Sequence, residues 1–198
     1  MLRVISLTLA LSAAGSLWAQ ETDKLAPYYP TPEIVVEKML DLGGLKAGEK
    51  MFDLGSGDGR IVIMAARKYK ADATGVEFDA SLVKQSSQRI RSLGLAMNAR
   101  IILGDLLKQD YSSADLLTVY LLPVGNGKVT PMLEKQLKKG TRIVAHDFKF
   151  DAWQPIKTVN IDDDGEGRLI EARAIAVEEP VRDDRPQPVG RVDRKSVV

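Results

Sequence analysis

The residues best placed to do chemistry are three acids that follow apolar runs, and a glycine turn beside the first of them. Asp53 lies in MFDLGSGDGR, where Gly55, Gly57 and Gly59 alternate with Ser56 and Asp58 before the helix-forming run IVIMAARKY. A strand, a tight glycine turn and a helix start together hold a nucleotide-like ligand above the end of a parallel strand. Gly55 and Gly57 let the backbone adopt conformations closed to other residues and let a ligand lie directly against it. About one strand–helix unit later, ADATGVEFD ends its apolar run in Glu77, and RIILGDLL then brings Asp105. A carboxylate at the end of the second strand can accept both hydroxyls of a ribose. Taken singly, each acid is equally explained as a turn residue or a helix cap. Their recurrence at strand–helix spacing is what points to a ligand.

The turn is not built for a phosphate. A P-loop would place Lys and then Ser or Thr after its last glycine, and here Arg60 and Ile61 stand there. Asp53 and Asp58 add negative charge that repels a pyrophosphate and suits a positive centre. The reading favours a cationic adenosine derivative over NAD.

Short apolar strands alternating with helical stretches must position these residues. Strands are expected at Lys50–Leu54, Ala73–Glu77, Ile101–Leu103, Leu116–Leu121 and Arg142–Ala145, with helices at Gly59–Tyr69, Ser81–Leu93 and Lys128–Leu137. In front of them, APYYPTP leads into an amphipathic helix that Thr31 can cap and that Gly43 and Gly44 end. Behind them, Ile156–Ile161 and Leu169–Val177 flank the turn DDDGEG and read as a hairpin. The expected fold class is therefore α/β, with a mostly parallel sheet, right-handed crossovers and helices on both faces.

Composition narrows the chemistry further. A formal charge of +1 gives no general pull toward nucleic acid or anionic lipid, so no nucleic-acid partner is expected. The chain has no cysteine and one histidine, His146, which disfavours an all-protein metal site. Arg3 precedes VISLTLALSAAGSLWA, an apolar run too short for a membrane span and ending in small residues. It reads as a signal peptide over 1–19, cut after Ala19, the alternative being a retained, membrane-associated N-terminal helix. A cleaved chain would be exported and periplasmic, with no stable membrane span after processing; a retained segment would leave it cytoplasmic or membrane-associated. The remaining boundaries are a linker over 20–30, a folded domain over 31–178 and a charged, proline-rich tail over 179–198 expected to be disordered. Oligomeric state is not legible.

MFDLGSGDGR resembles the first motif of class I S-adenosylmethionine (SAM)-dependent methyltransferases. With YYPTPEIVVEKML, GVEFD, GDLL, VYLLP and GTRIVAHDFKFDAW, the pattern is similar to small protein-lysine methyltransferases. These include the enzymes acting on mitochondrial ATP synthase and on adenine nucleotide translocase, and archaeal broad-specificity lysine methyltransferases. The resemblance covers about Tyr28 to Trp153 and implies a Rossmann-like, seven-stranded sheet with an antiparallel C-terminal hairpin edge. It implies that Asp53, Gly55, Ser56 and Gly57 hold the methionine part of SAM and that Glu77 holds the ribose. Phe78 would face the adenine ring, with Asp105 and the backbone of Leu106 at the adenine amino group.

For the acceptor, the resemblance implies a protein substrate carrying a lysine. YLLP stands where enzymes that methylate adenine or glutamine amides carry a D/NPPY-type element, which counts against those substrates. Tyr120 is the candidate to orient the amine, Asp147 the candidate to attract it, and Tyr29, Leu121, Leu122, Phe148 and Trp153 the candidate channel walls. His146 is read as structural, although Ala145 replaces a serine frequent in that pattern. Another acceptor class, a small molecule included, and a non-catalytic SAM-binding protein of the cell envelope are the alternatives.

Overall fold

Leu116–Val119 is buried at every residue, as only a strand covered on both faces can be, and it marks the middle of the sheet. The computed structural model describes Leu25, residues 27–161 and the backbone of Ala172–Val177. In chain order these hold α1 (Glu33–Leu42), β1 (Lys50–Leu54), α2 (Arg60–Lys68), β2 (Asp72–Glu77), α3 (Ala80–Ser92) and β3 (Ala99–Leu103). After a 3-10 turn at Leu106–Lys108 come β4 (Leu116–Val119), α4 (Pro123–Gln136), β5 (Arg142–His146), β6 (Pro155–Ile161) and β7 (Ala172–Val177). The strands form one seven-stranded sheet in the order β3-β2-β1-β4-β5-β7-β6. The first five are parallel, and β7 runs antiparallel to both β5 and β6. This is the Rossmann-like class I methyltransferase fold that the motifs imply.

Successive strand residues point to opposite faces, and the two halves of the core follow that period. Met51, Leu116 and Val144 pack with α1 and α2 on one face. Their neighbours Phe52, Leu117 and Ile143 pack with α4 and the Phe150–Trp153 pair on the other. Chain order reverses between β1 and β4, so the connections that leave their paired carboxyl ends run to opposite faces of the sheet and open a crevice. The glycine turn after β1 and the Tyr120 segment after β4 face each other across it.

Two local expectations are corrected. Helix α4 begins at Pro123 rather than Lys128. Gly125 and Gly127 weaken the helical signal, but Pro123 occupies a first-turn position that suits its missing N–H. A side chain at 125 would also come within 3.0 Å of the Leu25 carbonyl and 3.1 Å of Leu121, so glycine is a packing requirement there. Thr31 does not cap α1: Pro32 takes the N-cap position without a side-chain bond, and the Thr31 hydroxyl turns to His146 instead. The proposed leader over 1–19 and tail over 179–198 lie outside the described residues. Among those described, no helix is long and apolar enough to cross a membrane.

Gly75, in the middle of β2, lets the glycine turn settle onto the sheet. A Cβ there would lie 2.5 Å from both the Cβ and the Oγ of Ser56, and 2.7 Å from Ile101. Gly75→Ala is expected to cost about 1–3 kcal/mol of stability, the usual range for overpacking, and to weaken donor binding by displacing Ser56. Urea denaturation with donor titration checks both effects; a stable variant with full affinity would contradict this account of the turn.

Candidate active site

The donor side is built from the turn between β1 and α2. Gly55, Gly57 and Gly59 have φ of 80°, 53° and 76°, values at which a Cβ is strained. The N–H groups of Gly55 and Ser56 both donate to the Val76 carbonyl at 3.0 Å, which fixes the turn to β2. Gly57 N–H then donates to Glu77 Oε2 at 2.8 Å, and Asp79 N–H to Glu77 Oε1 at 2.8 Å. Glu77 is thus oriented by one backbone donor on each oxygen. Each oxygen keeps a second lone pair that can accept a ligand hydroxyl.

Asp53 follows Phe52 in β1 and is only 2% exposed. Thr118, its register partner on β4, donates Oγ1–H to Asp53 Oδ1 at 2.8 Å. Burial pushes the Asp53 carboxyl up to about 7; the Thr118 bond opposes that, while Glu77 and Asp58 add to it. Asp58 behaves differently. Burial acts to raise it, but the Arg60 guanidinium forks onto both of its oxygens and holds it below the usual carboxylate range.

The acceptor side is built from the ends of β4 and β5. The Tyr120 hydroxyl donates to Asp147 Oδ2 at 3.1 Å. Its ring lies 4.0 Å from the His146 ring and is nearly parallel to Phe148 at 6.4 Å. Burial, then the Asp147 charge and hydrogen bond, push the Tyr120 phenol up to about 12. Asp147 has φ of 59°, a left-handed conformation that costs a non-glycine residue about 1–3 kcal/mol. That geometry is held from behind by Asn126 on α4, whose Nδ2 donates to the Phe148 carbonyl at 2.9 Å and the Lys149 carbonyl at 3.3 Å. Asp147 Oδ1 is buried and makes no hydrogen bond among the described residues. His146 is buried, with Nδ1 at 3.3 Å from the Thr31 hydroxyl and Nε2 at 3.6 Å from Asp147 Oδ2.

Between the two sides lies an open cleft, with about 940 Å³ of empty space counted into its mouth. Asp53, Gly55, Ser56, Gly57 and Glu77 line one part of it. Phe78, Asp105 and Leu106 line the next, and Tyr29, Tyr120 and Leu121 close the acceptor end. Phe78 leaves 38% of its surface exposed, available to a flat ring. Asp105 already accepts from Leu107 N–H at 2.9 Å, as a cap. Asp147 and Phe148 stand behind Tyr120 rather than on the cleft wall, so Asp147 acts there through the phenol.

Three candidate channel walls are corrected, the first being Phe148, which packs behind Tyr120 and outside the cleft lining. Trp153 is 5% exposed and packs against Phe150 at 4.8 Å between ring centres inside the core, because the chain folds back after β5. Leu122 is the N-cap residue of α4 and is 41% exposed, outside the cleft lining.

Three contributors escape a reading of the sequence. Thr118 is visible as the one polar residue in the strand LLTV, Arg60 as a cation in the first turn of a helix, and Asn126 gives no local signal. The residues fit SAM. The turn offers backbone without Cβ at Gly55, Ser56 Oγ is buried without a partner among the described residues, and Asp53 and Glu77 supply carboxylates.

Residues 53–157 match the ANTKMT methyltransferase domain family. A protein-lysine N-methyltransferase of Saccharolobus islandicus is 38% identical over 138 residues, 69% of this chain and 86% of that protein. The adenine nucleotide translocase lysine N-methyltransferase of Mus musculus is 32% identical over 133 residues, which make up 67% of this chain but only 58% of the mouse protein. The crystal structure of an RNA methyltransferase from Salinibacter ruber with S-adenosyl-L-homocysteine is similar at a TM-score of 0.70 and 38% identity. That match covers 80% of this chain and 100% of the Salinibacter one.

The raised Asp53 value sets a pH dependence. From about pH 4 to about pH 7 the folded chain keeps a proton there that the unfolded chain, near 3.8, has lost. Stability from this group is therefore present below about pH 4 and lost as pH rises through about 7, a swing on the order of 4 kcal/mol at most. Asp53→Asn is expected to melt higher than the parent at pH 8, with the gap shrinking toward pH 5, and to bind the donor less well. Thermal melts across pH 5–8 without ligand check this; a gap independent of pH would contradict it.

Proposed function

The chain belongs to the ANTKMT methyltransferase family and is a SAM-dependent methyltransferase, and we propose that its acceptor is the ε-amine of a protein lysine. The observation that carries this reading is the Tyr120–Asp147 pair, which sets a phenol oxygen backed by a carboxylate at the acceptor end of the cleft. SAM supplies an electrophilic methyl group on a sulfonium. The protein must deliver a neutral nitrogen to it. A free lysine near pKa 10.4 is neutral in only about one molecule in 2,500 at pH 7.

The cleft residues address that deficit. Leu121 and the aromatic ring of Tyr120 strip water from the side chain, which favours loss of the proton to bulk solvent, while Asp147 acts from behind by holding the phenol. Tyr120 keeps its own proton, since its value lies near 12, and donates it to Asp147. The phenol oxygen is then left to accept an N–H of the neutral amine and aim its lone pair across the cleft. No general base is required. His146 is buried against Tyr120 and Thr31, consistent with a structural part.

Two relatives named as lysine methyltransferases support this acceptor. One named RNA methyltransferase favours a second reading, an RNA nucleobase. The formal charge of +1 weighs against it, because RNA affinity is dominated by phosphate contacts. Export belongs to the same proposal: the segment before Gln20 supports cleavage, and N-terminal sequencing of native protein beginning at Gln20 is the expected result.

The test is labelled SAM offered with cell protein and with RNA. Label is expected on protein lysine, located by peptide mass spectrometry; label on RNA alone would overturn the proposal. Tyr120→Phe should lower turnover about tenfold or more while leaving donor affinity nearly unchanged, as for a contact made mainly in the transition state. Activity should rise with pH until the bound amine is mostly neutral.

A further inference from the structure

Arg60 opens α2, where a cation works against the positive end of the helix dipole. Its contacts give a reason for it to be there. Nε donates to Asp58 Oδ1 at 2.9 Å, Nη2 to Asp58 Oδ2 at 2.8 Å, and Nη1 to the Thr31 carbonyl at 2.8 Å. Bonding to Asp58 raises the guanidinium above its usual range, and the Tyr28 phenol contributes to the same shift. Arg60 therefore joins the glycine turn to the segment 27–32.

That segment has no regular structure before α1, and its prolines at 27, 30 and 32 cannot donate hydrogen bonds. It is held by what reaches it from the domain. Arg60 takes the Thr31 carbonyl, His146 meets the Thr31 hydroxyl at 3.3 Å, and the Tyr28 ring lies on Gly57. The last contact is close enough that a Cβ on Gly57 would sit 2.7 Å from the ring. Gly57 is also the residue whose N–H orients Glu77. The strap thus roofs the part of the turn that forms the donor site, and both line the same cleft.

We propose that Arg60 is a positioning residue that latches the 27–32 strap over the glycine turn, and so sets how tightly the methyl donor and its product are held. A planar fork is required, because the acceptors lie in two directions, a carboxylate on one side and a carbonyl on the other. Lysine keeps the charge and loses the fork. The latch rests on the donor assignment above and is independent of which group accepts the methyl.

Calorimetry of S-adenosylhomocysteine binding to the full chain tests it, with Arg60→Lys, Tyr28→Ala and the double variant. Each single change is expected to weaken binding about ten- to thirtyfold. The double variant should be at most about threefold weaker than the worse single, because the two residues act as one unit. The KM for SAM should rise while kcat at saturating SAM stays within about twofold. The amides of Tyr28, Tyr29 and Thr31 should exchange hydrogen more slowly when the parent binds S-adenosylhomocysteine, and this slowing should vanish in Arg60→Lys. Parent-like affinity in Arg60→Lys overturns the latch. So does a double variant whose losses multiply, since Arg60 would then act on the ligand directly. If Arg60→Lys fails to fold, unchanged affinity in Tyr28→Ala overturns it equally. No binding by the parent would overturn the donor assignment, and the latch with it.

Discussion

The donor half of this protein depends on one carboxylate held by two backbone amides. Glu77 stands at the end of β2, and its oxygens take the N–H groups of Gly57 and Asp79 at 2.8 Å each. The first bond fixes the turn between β1 and α2, and the second fixes the entry to α3, where Asp79 itself caps the helix. Two loops from neighbouring strand–helix units are thereby registered to each other before any ligand arrives. Such preorganisation matters because a ribose bound by a mobile acid would have to offset the ordering of both loops. The first of these bonds also explains why glycine is needed at 57: its φ of 53° turns the N–H toward Glu77 while its bare Cα leaves room for the Tyr28 ring.

The donor and acceptor halves are joined through the strap rather than through the sheet alone. Thr31 offers its carbonyl to Arg60 on the donor side and its hydroxyl to His146 on the acceptor side. His146 in turn packs against Tyr120 with the rings tilted, and Tyr120 bonds Asp147. A continuous set of contacts therefore runs from the glycine turn to the phenol that meets the acceptor. This gives a buried histidine a use that needs no proton transfer, and a reason for a threonine to give up a helix cap.

Much of this is legible in the sequence, and the limits have physical causes. The strand–turn–helix at MFDLGSGDGR and the acids after β2 and β3 are local patterns, and the fold places them together because consecutive parallel strands end on the same side. The buried run LLTV marks the centre of the sheet for the same reason. Partners distant in sequence are not legible. Thr118 meets Asp53 across 65 positions, and Asn126 pins the loop beyond β5 from a helix whose start its flanking glycines obscure. Aromatic type and nearness to Asp147 suggest a channel wall at Trp153. Only the tertiary fold shows the chain turning inward to pack it against Phe150. A rule about adjacent residues makes Thr31 a cap, and a contact 115 positions away overrides it.

The arrangement of charge in the cleft accounts for the kind of ligand it accepts. Asp53, Asp58 and Glu77 all line it, and Arg60 satisfies only Asp58. Two further carboxylates beside a narrow space would repel each other if both were ionised. Burial, with that repulsion as a smaller contribution, lets Asp53 keep its proton up to about pH 7. A ligand with a cationic nitrogen beside Asp53 would reverse the balance, since the ionised acid would then have a partner and Thr118 already donates to it. A dinucleotide would bring pyrophosphate to the same place and leave the repulsion worse. The turn's lack of a lysine and the buried acid beneath it therefore express one constraint: the site admits an adenosine ligand that carries positive charge.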